Sequence, residues 1–153
     1  MEEIIQSLEN ELGSGVYKVV SPLYVTVGKK KPKKQYLNLN SYRNFHHQHS
    51  NNVKKAYTEL MLPMVQELPS LQKATIYVIY PRTKAEMDVA NVGSIVDKFF
   101  SDTIVQANKL HDDNFKFLPM VTYMYGGLSK DNPRVDIYVI DQIKKGKQWK
   151  LIY

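Results

Sequence analysis

Thr75-Ile76-Tyr77-Val78-Ile79-Tyr80-Pro81 is followed, after a polar loop, by Asp88-Val89-Ala90-Asn91-Val92-Gly93-Ser94-Ile95-Val96-Asp97-Lys98-Phe99-Phe100-Ser101-Asp102-Thr103, and this change of period decides the fold. The first stretch is short, β-branched and aromatic, as a strand requires, and Pro81 is expected to end it. The second repeats its apolar residues at helical spacing. At about 100° per residue, Val92, Val96, Phe99 and Thr103 share one face. A helix over about 89–107 is predicted. Asn91, Ser94, Lys98 and Asp102 share a polar face, Asp88 precedes the helix on that side, and Asp97 is expected to point to solvent.

Upstream, Val53, Ala56, Tyr57, Leu60, Met64 and Val65 predict a helix over roughly 50–67. Pro63 is expected to kink it or end it early. A short extended piece at 36–39 comes before it, and Asn40 or Ser41 can supply a cap. Residues 16–27 alternate in strand fashion through Tyr17, Val19, Leu23, Val25 and Val27, with Pro22 dividing them. A short helix is read over 2–12, broken at Gly13-Ser14-Gly15. Downstream, 115–125 and 134–140 read as paired strands around Gly126-Gly127 and Asp131-Asn132-Pro133. The last dozen residues are basic and carry Trp149 and Tyr153. With no internal repeat and no linker, residues 1–153 form one α+β domain. Two principal helices are expected on one side of a mixed β-sheet.

Composition bounds the function. The chain has 153 residues, 43% hydrophobic and 24% charged, enough to bury a core without staples. It has no cysteine, which removes disulfides and thiolate metal sites. No apolar run approaches the roughly 20 residues of a membrane span. Met1 to Leu12 is acidic and amphipathic, unlike a secretion signal. These features predict a soluble, cytoplasmic protein. The formal net charge of +6 favours polyanionic partners, because lysines and arginines that neutralise phosphates release counterions.

Chemistry concentrates between Asp88 and Asp113. The polar helix face offers an amide, a lysine and a carboxylate, and Asp112-Asp113 precedes the next strand. Phosphodiester hydrolysis uses such groups. Carboxylates hold Mg²⁺, the metal activates water, and a lysine opposes charge on the phosphate. Each group also has a plain structural reading. Asp88 can be a helix cap, Lys98 and Asp102 an i,i+4 pair, and Asp112-Asp113 a turn.

The order Tyr80-Pro81, Asp88-Val89-Ala90-Asn91, a helix with Lys98, then His111-Asp112-Asp113 resembles the RusA-like family of phage-associated Holliday-junction resolvases. Leu39-Asn40-Ser41-Tyr42-Arg43 is similar to the segment that opens that family's first long helix. The two strands ending at Ile140 are similar to its closing hairpin. The resemblance covers about 20–141, and 80–117 is its diagnostic part. It implies Mg²⁺-dependent endonucleolytic cleavage of branched DNA, Mn²⁺ being an alternative metal, by a homodimer acting on four-way junctions, in a bacterial host cell if phage-encoded. It further implies Asp88, Asp113, Lys98 and Asn91 as catalytic residues and Asp88, Asp113 and Asp112 as metal ligands. The chain departs from the pattern where a family carboxylate falls on Ala90 and the family's lysine falls on Ser94. A catalytically impaired DNA-binding relative, or a phage protein-interaction factor on the same fold, are the alternatives.

Lys29, Lys30, Lys31, Lys33 and Lys34 are read as a phosphate-contacting loop, extended by Arg43, or as a solvated hairpin tip. His46, His47 and His49 match no zinc spacing. The 11 tyrosines fall mostly in strand patterns and are assigned to the core rather than to base-stacking platforms.

Overall fold

A computed structural model describes residue 3, residues 15–71 and residues 75–141. The expectations for most of the N-terminal helix and for the basic C-terminal residues lie outside them. Among the described residues, six strands and three helices run in the order β1 (Val16–Ser21), β2 (Tyr24–Val27), β3 (Lys33–Tyr36), α1 (Leu39–Tyr42), α2 (His47–Gln66), β4 (Ile76–Arg82), α3 (Val89–Gln106), β5 (Met120–Tyr123) and β6 (Arg134–Ile140). The α+β class with a mixed sheet holds.

Four strands form the main sheet in the order β1-β6-β4-β5. β6 runs antiparallel to both β1 and β4, and β4 pairs parallel with β5. The two central strands are buried almost throughout, which explains why both read as near-continuous apolar runs. Here the expected closing hairpin fails. β5 and β6 are not neighbours; they flank β4 on opposite sides. A strand as apolar as Val-Asp-Ile-Tyr-Val-Ile needs cover on both faces, and only a central slot supplies it.

Pro81 does not end β4. Pairing with β6 runs through Pro81↔Val135 to Arg82↔Arg134. The Pro81 carbonyl accepts from Gly126 N–H at 2.8 Å. The N–H that proline lacks would point to that same side, away from β6, so the antiparallel β4–β6 ladder stays whole.

The helices sit on one face of the sheet. Val53, Tyr57, Met61 and Val65 of α2, spaced by four, meet Val92, Val96, Phe99, Phe100 and Ile104 of α3 over Tyr77, Ile79, Val135, Ile137 and Val139. Pro63 lies inside α2, which continues to Gln66 because its buried stripe runs on to Val65. The caps are Asn38 for α1 and His46 for α2, not Asn40 or Ser41. The opposite face carries a second cluster, Ile76, Val78, Tyr80, Tyr138 and Ile140. No helix among the described residues is long and apolar enough to cross a membrane.

Candidate nucleic-acid interface

β2 and β3 form a separate two-stranded arm beside the sheet. Alternation gives it a dry inner side and a wet outer side. Val25 and, just past β3, Leu37 are buried in the core, and Leu37 N–H donates to the Leu23 carbonyl at 2.8 Å. Gln35 Oε1 and His49 Nε2 hydrogen-bond at 3.0 Å, tying the arm to α2. The tip turns at Gly28, whose φ of 105° suits glycine, and where a Cβ would meet the Lys31 carbonyl oxygen at 2.9 Å.

The tip carries Lys29, Lys30, Lys31, Lys33 and Lys34, all exposed. None has a carboxylate partner among the described residues. Their surroundings explain this. From Leu12 to Thr58 the sequence contains no aspartate or glutamate, while Lys18, the five tip lysines, Arg43, Lys54 and Lys55 all fall in that span. Between the arm and the first turns of α2 lies an open groove of about 310 Å³, lined in part by Lys31, Lys33, Lys34, Gln35, His49 and Asn52. The first turn of α2 holds no acid, so the positive end of its dipole adds to the same field.

The polar face of α3 is spent mostly on packing. Asn91 Oδ1 accepts from the N–H groups of Leu39 at 3.1 Å and Asn40 at 3.3 Å, so this side chain seats α1 on α3. The Lys98 ammonium stands 5.9 Å from the Tyr42 ring centroid rather than beside Asp102. Asp102 pairs instead with Lys54 at 2.6 Å. Ser94 bonds back to the Ala90 carbonyl. Asp88 occupies the N-cap of α3 without a side-chain capping bond and is exposed. Arg43, the C-cap of α1, is exposed too. Asp88, Asn91, Lys98 and Arg43 thus belong to one region, where α1 meets α3.

Asp112 and Asp113 belong elsewhere. The Asp112 carboxylate accepts from Asp113 N–H and from the Asn114 amide, forming a turn. The helical turn after it ends where the Phe117 carbonyl accepts from Thr75 N–H, at the start of β4. Asp88 lies past the other end of β4, a strand of seven residues spanning roughly 20 Å. The expected convergence of Asp88 and Asp113 is absent. A parallel crossover sends its connecting helix back along the sheet, so the residues before and after that helix fall at opposite ends. Among the described residues no three His, Asp or Glu side chains come together as a metal site. These residues do not fit a Mg²⁺ ion shared by Asp88 and Asp113. His46, His47 and His49 are used locally, as a cap, with Asn51 and with Gln35.

Asp97 is half-buried against β5 rather than turned to solvent. It accepts from the Tyr123 hydroxyl at 2.7 Å and from Ser101 at 3.2 Å. Burial raises its pKa above the usual carboxylate value, the two hydrogen bonds oppose that rise, and the Asp113 charge adds to it. The Tyr123 ring lies on Gly93, where an added Cβ would meet Cγ at 2.9 Å. The stripe Gly93, Asp97 and Ser101, spaced by four, carried a usable signal, small and polar residues on a face approached closely by a strand.

No protein-family model and no curated protein sequence matches this chain.

Proposed function

We propose that this chain is a RusA-like protein that binds branched DNA, such as a four-way junction, through its acid-free arm. One observation carries the reading: five exposed lysines crowd a hairpin tip beside a groove, with no carboxylate among the described residues to neutralise them. Such charge is repulsive in the free protein and is relieved by phosphates, which shed counterions on binding. The resemblance over 20–141 supplies the branched substrate and the homodimer.

A second reading, a Mg²⁺-dependent endonuclease, comes from the resemblance, which implies Asp88 as a catalytic residue. Asp88 is exposed at the N-cap of α3 and makes no side-chain capping bond. A labelled four-way junction and a linear duplex of the same sequence test both readings. Binding that prefers the junction and weakens steeply between about 50 and 200 mM salt supports the first. Incubation with Mg²⁺, Mn²⁺ or EDTA then separates the two. Metal-dependent incision lost in Asp88→Asn establishes the endonuclease; junction binding without incision leaves a DNA-binding relative. Failure to bind any DNA at low salt rejects both, and points to a protein-interaction factor.

A further inference from the structure

We infer that the outer face of the β2–β3 arm is a stacking platform for unpaired bases, built from Tyr24 and Tyr36 beside the lysine tip. The inference rests on the DNA-binding reading and adds to it which part of the DNA the arm selects.

Tyr24 and Tyr36 are direct cross-strand partners. Strand alternation places them outward with Thr26 and Lys34, while Val25 faces the core. As residues Tyr24 and Tyr36 are 36% and 54% exposed, whereas Tyr57, Tyr77, Tyr80 and Tyr138 are buried. Docking of the arm is carried from the other side by Val25, Leu37 and the Gln35–His49 bond. The cross-strand contact of Tyr24 and Tyr36 steadies the hairpin and still leaves outer ring surface open to solvent.

The two ring centroids stand 5.7 Å apart. Neighbouring nucleotides that have left their own stack can each meet one ring at that spacing. Lys34 Nζ lies 4.6 Å from the Tyr24 centroid and covers that ring in the free protein. No such cation covers Tyr36 among the described residues, so Tyr36 is the first ring open to a base. A phosphate arriving at the tip competes for Lys34 and frees Tyr24. Phosphate capture and base stacking are therefore linked through one lysine. Bases inside a duplex present only their edges, so the platform discriminates for single strands and for the opened nucleotides at a branch.

The test uses the full chain and fluorescence anisotropy on three probes: an oligo-dT single strand, a fully paired duplex and a four-way junction. Tyr24→Ala/Tyr36→Ala should weaken single-strand and junction binding by about tenfold or more, as loss of one or two stacked bases does. Duplex affinity and the salt slope should stay unchanged. Tyr36→Phe, which keeps the ring, should bind as the parent does and serves as the folding control. Equal losses on all three probes, or none on the single strand, overturn the platform. Lys30→Ala/Lys31→Ala/Lys33→Ala separates the two ideas. If it weakens every probe and flattens the salt slope while the tyrosine variant changes nothing, DNA binding by the arm survives and the platform falls. If the parent protein binds none of the probes, both fall.

Discussion

Two clusters of positive charge in this protein have opposite fates. On the sheet face away from the helices, Arg82, Arg134 and Lys18 surround Asp136, whose carboxylate is fully buried. Arg82 and Arg134 reach it at 2.8 and 2.9 Å, and Lys18 at 3.9 Å. On the β2–β3 arm, five lysines reach no carboxylate among the described residues. The difference lies in what each strand must do. β6 is central, so a charge on it has to be desolvated and is tolerated only with partners. The arm is peripheral, and its tip lysines remain hydrated until something else neutralises them. Paired charge on the sheet builds the fold; unpaired charge on the arm is available to a ligand.

Breaking the buried cluster should have the largest effect on stability. Asp136→Ala removes the buried carboxylate that two half-buried guanidinium groups reach, and the expected loss is about 3–5 kcal/mol in a urea titration. A loss below about 1 kcal/mol would mean that the cluster is as dispensable as a surface pair. Gly93→Ala probes the packing of β5 on α3. The new Cβ pushes into the Tyr123 ring and endangers its bond to Asp97, so a net loss of about 1–2 kcal/mol is expected despite alanine's better helix propensity. Asn91→Ala should cost about 1 kcal/mol by leaving the Leu39 and Asn40 N–H groups without their acceptor. Hydrogen exchange at those two amides should rise selectively.

Asp97→Asn goes the other way. Burial lifts the Asp97 pKa above its unfolded value, so the folded state holds that proton more tightly. The group's contribution to folding is present below the unfolded pKa and is lost as pH rises through the folded one. Removing the charge while keeping an acceptor for Tyr123 should raise the melting temperature near neutral pH by about 2 °C. The gain should fade toward about pH 4. The smallest stability effect belongs to the arm. Lys30→Ala/Lys31→Ala/Lys33→Ala should leave unfolding free energy within about 0.5 kcal/mol of the parent. The same change should lower the salt slope of DNA binding by up to about 3. A large stability loss there would erase the contrast between the two clusters.

The amino-acid sequence determined the local elements wherever one periodicity held without rival. The helix over Val89–Gln106, the helix around Val53, Tyr57 and Val65, and strands at Ile76 and Arg134 come from side-chain spacing, because burial of one face is enough to specify each. It also determined the acid-free basic arm, since charge is carried residue by residue. Tertiary structure alone decided which strands pair. β6 inserts between β1 and β4 because a strand apolar on both faces needs neighbours and layers that no local pattern names. The same topology decided the fate of the acidic residues. Asp97 and Asp102, five residues apart on one helix, became a half-buried acceptor for Tyr123 and a partner of Lys54, according to what each helix face meets. Asp88 and Asp113, 25 positions apart in sequence, were set toward opposite ends of β4 because the helix joining two parallel strands must run back along the sheet before the second can begin.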